Sequence, residues 1–315
     1  MRYIHDLTEG QHIIEFYLCR ERQTLTAKNG KDYVKMTLED KTGSINAMVW
    51  DLSYIADNFA KGDIVKVDGK VQSFNNAMQI NILRIRKARE NEYNVSDFYH
   101  TSRVPSEVLY ERALGMIEQI RDEALRRLVF YFYRDNARLA AKLKEHPAAK
   151  SIHHGYIGGL LEHSTSVASI ALSYRDIYPQ LDQDLLIAGG LLHDIGKLEE
   201  LQPLPSGDYS DAGRLLGHIT IGYRMVYEQG VKMADLSTGK LTALCHMILS
   251  HHGKLEFASP VVPSTMEAIA LNLADLADSQ LKLMEDAIRL DTTEGNWTAY
   301  NRALERYIYK AEDIQ

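Results

Sequence analysis

Near residue 100 the hydrophobic period of the chain changes, and that change limits the fold more than any other feature. Between Gln11 and Lys87 apolar residues alternate or run in short stretches rich in β-branched and aromatic side chains: HIIEFYL, DYVKMTLED, SINAMVW, DIVKVDGKV and MQINILRIR. Period two sends every second side chain to the same face of a strand. Turn-forming residues separate the runs at Lys28-Asn29-Gly30, Asp40-Lys41-Thr42-Gly43, Lys61-Gly62-Asp63 and Phe74-Asn75-Asn76. From Glu107 onward apolar residues recur at spacings of three and four, as in VLYERALGMIEQI, LRRLVFYFY, LLEHSTSVASIALSY, LLIAGGLLHDIGKLEEL, LTALCHMILSHH and MEAIALNLADLADSQLKLMEDAI. That is the pattern of helices with one buried face. Pro179, Pro203, Pro205, Pro260 and Pro263 fall in the breaks, where helix boundaries belong.

A chain of 315 residues with such a switch divides into two domains. Five strands with one intervening segment, LSYIADNFA, read as strand, strand, strand, short helix, strand, strand. This is the order of an all-β OB-fold barrel, expected over residues 1–90. Residues 91–106 are polar, lack a period and close on a proline, as a linker does. An all-α domain is expected over 107–315. Net charge is −7, yet residues 1–90 hold 14 Lys and Arg against 12 Asp and Glu, so the acidity lies in the helical part. Phosphate affinity depends on where basic residues cluster, and the total excludes nothing. The two cysteines, Cys19 and Cys245, are too far apart in sequence for a C-x-x-C motif or a disulfide framework and read as buried thiols. No stretch approaches the roughly eighteen apolar residues of a membrane span. A cytoplasmic protein without membrane partners is expected.

The chemistry lies on the helices. Histidine or aspartate interrupts otherwise apolar faces at His163 in GGLLEHS, His193 and Asp194 in LLHDIGK, His218 in LLGHIT, His251 and His252 in ILSHHGK, and Asp275 in LNLADLAD. One such histidine alone is ordinarily a satisfied core or surface residue. Five helical segments carrying them together require partners, because an unpaired buried polar group costs several kcal/mol. A shared metal supplies those partners at once, and mixed imidazole and carboxylate ligands suit Mn, Fe, Co, Ni or Zn. Lys197 follows Asp194 by three residues, on nearly the same helix face, and can reach a phosphate bound at such metals. Gly189 and Gly190, just before, allow another backbone close approach, whether for packing or for function.

The succession H, HD-x-x-K, H, HH, D on successive helices resembles the HD superfamily of metal-dependent phosphohydrolases. The HHGYIGGLLEH and HDIGK segments behind an OB-like N-terminus resemble more specifically the YhaM family of bacterial 3′-to-5′ exoribonucleases. The resemblance spans nearly the whole chain and implies an HD-type metal core over 151–285. It makes His163, His193, Asp194 and Asp275 ligands of one divalent ion. Asp194 bridges to a second ion held by His218 and by His251, His252 or both. Asp278 is the alternative to Asp275, and His154 an outer contact. The implied cofactors are two divalent ions, Mn first, with Co, Fe or Zn as alternatives. Asp194 and Lys197 are the implied catalytic pair, and 3′-end ribonuclease activity comes from the resemblance alone.

In the barrel, Tyr33, Lys35, Trp50, Phe74, Arg84 and Arg86 are candidates for stacking on bases and pairing with backbone phosphates of single-stranded RNA, with single-stranded DNA as a second substrate. Alternation sets Val34, Met36 and Leu38 on one face and Tyr33, Lys35 and Thr37 on the other, which favours Tyr33 and Lys35. Two rival functions share these features: an HD hydrolase of nucleotides or cyclic dinucleotides, and a non-enzymatic single-strand-binding protein. The first lacks a GYP-like tripeptide after HHGK, and the second does not account for Lys197. Oligomerisation is open.

Overall fold

The structure is a computed structural model and describes residues 1–75, 77–89, 91–99, 104–148, 156–204, 207–291 and 293–310. It separates into two compact units, one built on a barrel and one on helices. Strands β1 (His12–Thr26), β2 (Asp32–Asp40), β3 (Gly43–Val49), β4 (Ile64–Phe74) and β5 (Ala77–Lys87) close in the order β1-β2-β3-β5-β4. All neighbours are antiparallel except the closing pair, where β3 runs parallel to β5 with Asn46 opposite Gln79. Val34, Met36 and Leu38 point inward to meet Val49, Val67 and Ile80, while Tyr33, Lys35 and Thr37 alternate outward. Register shifts at Cys19/Glu21 and Asp68/Gly69 bend the two longer pairings, as bulges do in small barrels.

The segment LSYIADNFA departs from expectation. Only Leu52–Tyr54 forms a single 3-10 turn, capped by the Asp51 side chain, after which Ile55 bridges to Ile85. Phe59 alone of the segment is deeply buried. One anchor cannot offset the cost of nucleating a helix, and Asp57 and Asn58 favour local turns. The expected linker also differs over its first part. Phe98 packs with Leu18, Ile64 and Ala88, and Asp97 accepts a hydrogen bond from the Tyr3 hydroxyl at 2.8 Å, so these residues complete the barrel unit.

The helical unit contains α1 (Ser106–Glu118), α2 (Glu123–Phe130), α3 (Ala137–Glu145), α4 (Gly159–Ser173), α5 (Gln183–Leu192), α6 (Lys197–Glu200), α7 (Asp211–Gly230), α8 (Thr238–Ser250) and α9 (Met266–Leu290). Asp122, Asn136, Asp182, Ser210, Ser237 and Thr265 cap the starts of six of them with side-chain oxygens. The core is continuous, from Leu109 in α1 through Leu186 and Ile187 in α5 to Leu271 in α9. Gly190 sets a close crossing: a Cβ there would lie 2.5 Å from the Ala168 Cα, so α4 and α5 touch almost backbone to backbone. At Tyr131–Asp135 the chain leaving α2 widens into a π-helical turn.

Beyond α9 the expected helical character ends. Trp297 bridges to Tyr309 and Asn301 to Arg306 in a small antiparallel hairpin, with Thr298 and Ile308 turned inward and the Trp297 and Tyr309 rings in edge contact. The stretches WTAY and RYIY are rich in aromatic and β-branched residues, a strand signal that disagrees with the helical reading to residue 315. Among the described residues no helix is long and apolar enough to cross a membrane. Cys19 and Cys245 are free and buried.

Candidate functional site

The helices bring seven of the singled-out residues to one place. His163 lies in the second turn of α4, His193 and Asp194 directly follow α5, His218 lies within α7, His251 and His252 directly follow α8, and Asp275 projects from α9. Their ligand atoms form two groups, His163 with His193 and Asp275, and His218 with His251 and His252. Asp194 stands between them. Its Oδ2 is 3.5 Å from both His163 Nε2 and His193 Nε2, and its Oδ1 is 3.4 Å from His218 Nε2 and 3.7 Å from His251 Nε2.

Hydrogen bonds orient every imidazole. Nδ1 donates to Asp278 Oδ2 from His163 (2.7 Å), to the Gly190 carbonyl from His193 (2.9 Å), and to Glu200 Oε1 from His218 (3.1 Å). It donates to the Ile248 carbonyl from His251 (2.7 Å) and to the Phe257 carbonyl from His252 (2.8 Å). With Nδ1 carrying the proton, a neutral ring presents the Nε2 lone pair, which is how proteins prepare histidine to bind a metal. Asp194 Oδ1, His218 Nε2 and His251 Nε2 are buried and make no hydrogen bond. His163 Nε2 and His193 Nε2 lie 3.2 Å apart. Acceptors that converge without donors are unfavourable by themselves and complementary to a cation, so the cluster fits divalent metal.

Charge follows the same arrangement. Burial and the neighbouring His193 hold His251 well below the usual histidine range. Burial opposes charge on His163, but hydrogen bonds to Asp275 and Asp278 outweigh it and raise the ring to about 9. A proton and a cation therefore compete for its Nε2. Burial likewise opposes charge on Asp194, and Lys197 with His193 overcomes it, keeping the carboxylate ionised. Lys197 Nζ donates to Asp194 Oδ2 at 2.6 Å. Asp275 Oδ1 approaches the cluster-facing nitrogen of His163 at 3.2 Å, whereas Asp278 holds the opposite nitrogen.

Two features of the site have no counterpart in the sequence reading. Glu200, at the end of α6, accepts from both the backbone N–H (2.9 Å) and Nδ1 of His218. That contact is possible because α7 breaks at Gly217, whose φ of +71° only glycine adopts readily, so that His218 starts a second helical stretch with Glu200 as its cap. The other feature is a cavity of about 250 Å³ over the cluster, reached by His163, Asp194, Lys197 and Asp275 and walled by Phe257 and Leu276. His154 lies outside the described residues.

On the barrel, the Tyr33 and Trp50 rings lie 5.0 Å apart at 30°, and Trp50 is half exposed. Lys35 is two residues along on the same face of β2. The β3–β5 register puts Trp50 toward the Leu83 and Arg84 end of β5 and Phe74 near its start, so Phe74 is exposed but apart from the pair. Arg84 is exposed, whereas Arg86 is bound by both guanidinium nitrogens to Glu92.

These features define an HD-domain enzyme with divalent-metal dependence, joined to a nucleic-acid-binding OB-fold. The HD domain family matches residues 160–279, and the OB-fold nucleic acid binding domain family matches residues 19–88. The chain is 34% identical over 306 residues to the 3′-5′ exoribonuclease YhaM of Bacillus velezensis (strain DSM 23117 / BGSC 10A6 / LMG 26770 / FZB42), covering 96% of this chain and 95% of that protein. It is 33% identical, with the same coverage, to the 3′-5′ exoribonuclease YhaM of Bacillus subtilis (strain 168). The chain belongs to the YhaM 3′-5′ exoribonuclease family, and it is a hydrolase.

Proposed function

We propose that this protein degrades single-stranded RNA from its 3′ end to nucleoside 5′-monophosphates, using two divalent ions of which Mn is the first choice. Single-stranded DNA is a secondary substrate, and the cytoplasm is the place of action, in keeping with two free buried thiols. The observation that carries this reading is the convergence of imidazole nitrogens and carboxylate oxygens on both sides of Asp194. His163, His193, Asp275 and Asp194 Oδ2 would hold one ion, and His218, His251, His252 and Asp194 Oδ1 the other. When bound, such ions activate water and neutralise charge developing on a phosphate.

The protein's own groups do the rest. Lys197 fixes Asp194 with one N–H, and its remaining donors border the cavity, where they favour a phosphate and its added charge in the transition state. Glu200 and Asp278 set the orientation of His218 and His163. The barrel holds the strand by stacking at Tyr33 and Trp50, with Lys35 and Arg84 beside the backbone.

The test uses protein dialysed against EDTA, then supplied with Mn, Co, Zn or Mg and given 5′- or 3′-labelled RNA. A ladder shortening by one nucleotide from the 5′ label, immediate labelled monomer from the 3′ label, and dependence on a transition metal are expected. Full activity in excess EDTA, or cleavage of circular RNA, would overturn the reading.

A further inference from the structure

The cavity above the cluster has two unlike sides. His163, Asp194, Lys197 and Asp275 make one polar, while Phe257 and Leu276 make the other apolar. Both apolar side chains remain about half exposed, at 56% and 48%, and so stand open to a ligand in the cavity. Phe257 is also held in place. It ends the 3-10 turn Leu255–Phe257, its carbonyl accepts from His252 Nδ1, and Ala258 after it takes a φ of +67°. A residue with a Cβ rarely adopts that conformation unless the surroundings impose it, and such strain gathers at ligand contacts.

We propose that Phe257 stacks on the base of the 3′-terminal nucleotide whose phosphate lies at the metal cluster, with Leu276 bounding the same pocket. This rests on the exoribonuclease reading and adds a substrate-positioning residue to it. Lys254 rests over one face of the ring, 5.3 Å from its centroid, so stacking uses the other. Polar groups on the wall are engaged elsewhere: the Ser279 hydroxyl donates to Asp275, and the Asn272 amide donates to the His251 carbonyl. The pocket therefore accepts all four bases, as stacking does in general.

The test compares RNA ending in an ordinary nucleotide with RNA ending in an abasic one, for the wild type, Phe257→Ala and Phe257→Tyr. The wild type should prefer the base-bearing end by about tenfold or more in kcat/KM. That ratio should fall close to one in Phe257→Ala and persist in Phe257→Tyr. Independently of turnover, a 3′-terminal 2-aminopurine should lose fluorescence on binding the wild type and the Tyr variant in EDTA, and keep it with the Ala variant. Equal losses on both substrates in Phe257→Ala, no preference in the wild type, or quenching that survives Phe257→Ala would each overturn the proposal. Wild-type protein that shortens neither RNA would instead overturn the exoribonuclease reading, while quenching lost only in Phe257→Ala would still support the base contact.

Discussion

One oxygen of Asp194, Oδ2, serves three neighbours, since Lys197 bonds the same atom that faces His163 and His193, while Oδ1 faces His218 and His251. Asp194→Asn should therefore remove more than a proposed ligand. Hydrolysis is expected to fall at least about a hundredfold, because even outer partners of metal ligands are worth about 10–100-fold. Folding should also weaken, by up to about 3 kcal/mol, because a buried ammonium loses its counter-charge. Adding Lys197→Met should recover the melting temperature and leave activity lost. A single Asp194→Asn variant that melts with the wild type would show that Lys197 does not depend on the pair. Glu200→Gln tests the orientation of His218: metal affinity, measured by titration of the apoprotein, should drop about 10–100-fold. An unchanged affinity would make Glu200 a helix cap only.

At the scale of elements, the site is assembled by close crossings of helices. Gly190→Ala would place a Cβ 2.5 Å from the Ala168 Cα. The strain should cost about 1–3 kcal/mol. It should also separate His163 from His193, so that thermal stability and metal uptake fall together; a loss of stability with normal uptake would uncouple the crossing from the site. The strands and most helices were legible in the sequence because a buried face must repeat at period two or at three and four. The cluster was legible for a related reason, since His193, Asp194 and Asp275 interrupt runs such as LLIAGGLL and MEAIALNLA that have no other use for a polar group. Less was legible where local and tertiary signals compete. Glu200 looks like a surface residue after Lys197 and becomes a partner of His218 only through the break at Gly217. The segment after Asp51 carries apolar residues without a stripe, and the terminal hairpin was hidden behind the helical pattern that precedes it.

For the whole molecule, the proposed division of labour predicts that the barrel governs affinity for long strands and the helical unit the chemistry. Trp50→Ala and Tyr33→Ala should each raise KM for a long single strand by about tenfold, as loss of one stacked base would. Dinucleotides should be affected much less, and equal effects on long and short substrates would remove the barrel from substrate binding. The direct pairing of β3 with β5 has a separate consequence. Among the described residues the closure pairs Asn46–Met48 with Gln79–Asn81 and His12–Leu18 with Ile64–Lys70, so those margins carry no free row of amides and carbonyls. Along those stretches the sheet cannot be extended by another strand, the device open sheets offer to peptides. A half-exposed ring such as Trp50, two residues past the closed stretch, can thus meet a base beside a margin that is no template for edge-to-edge growth into aggregates.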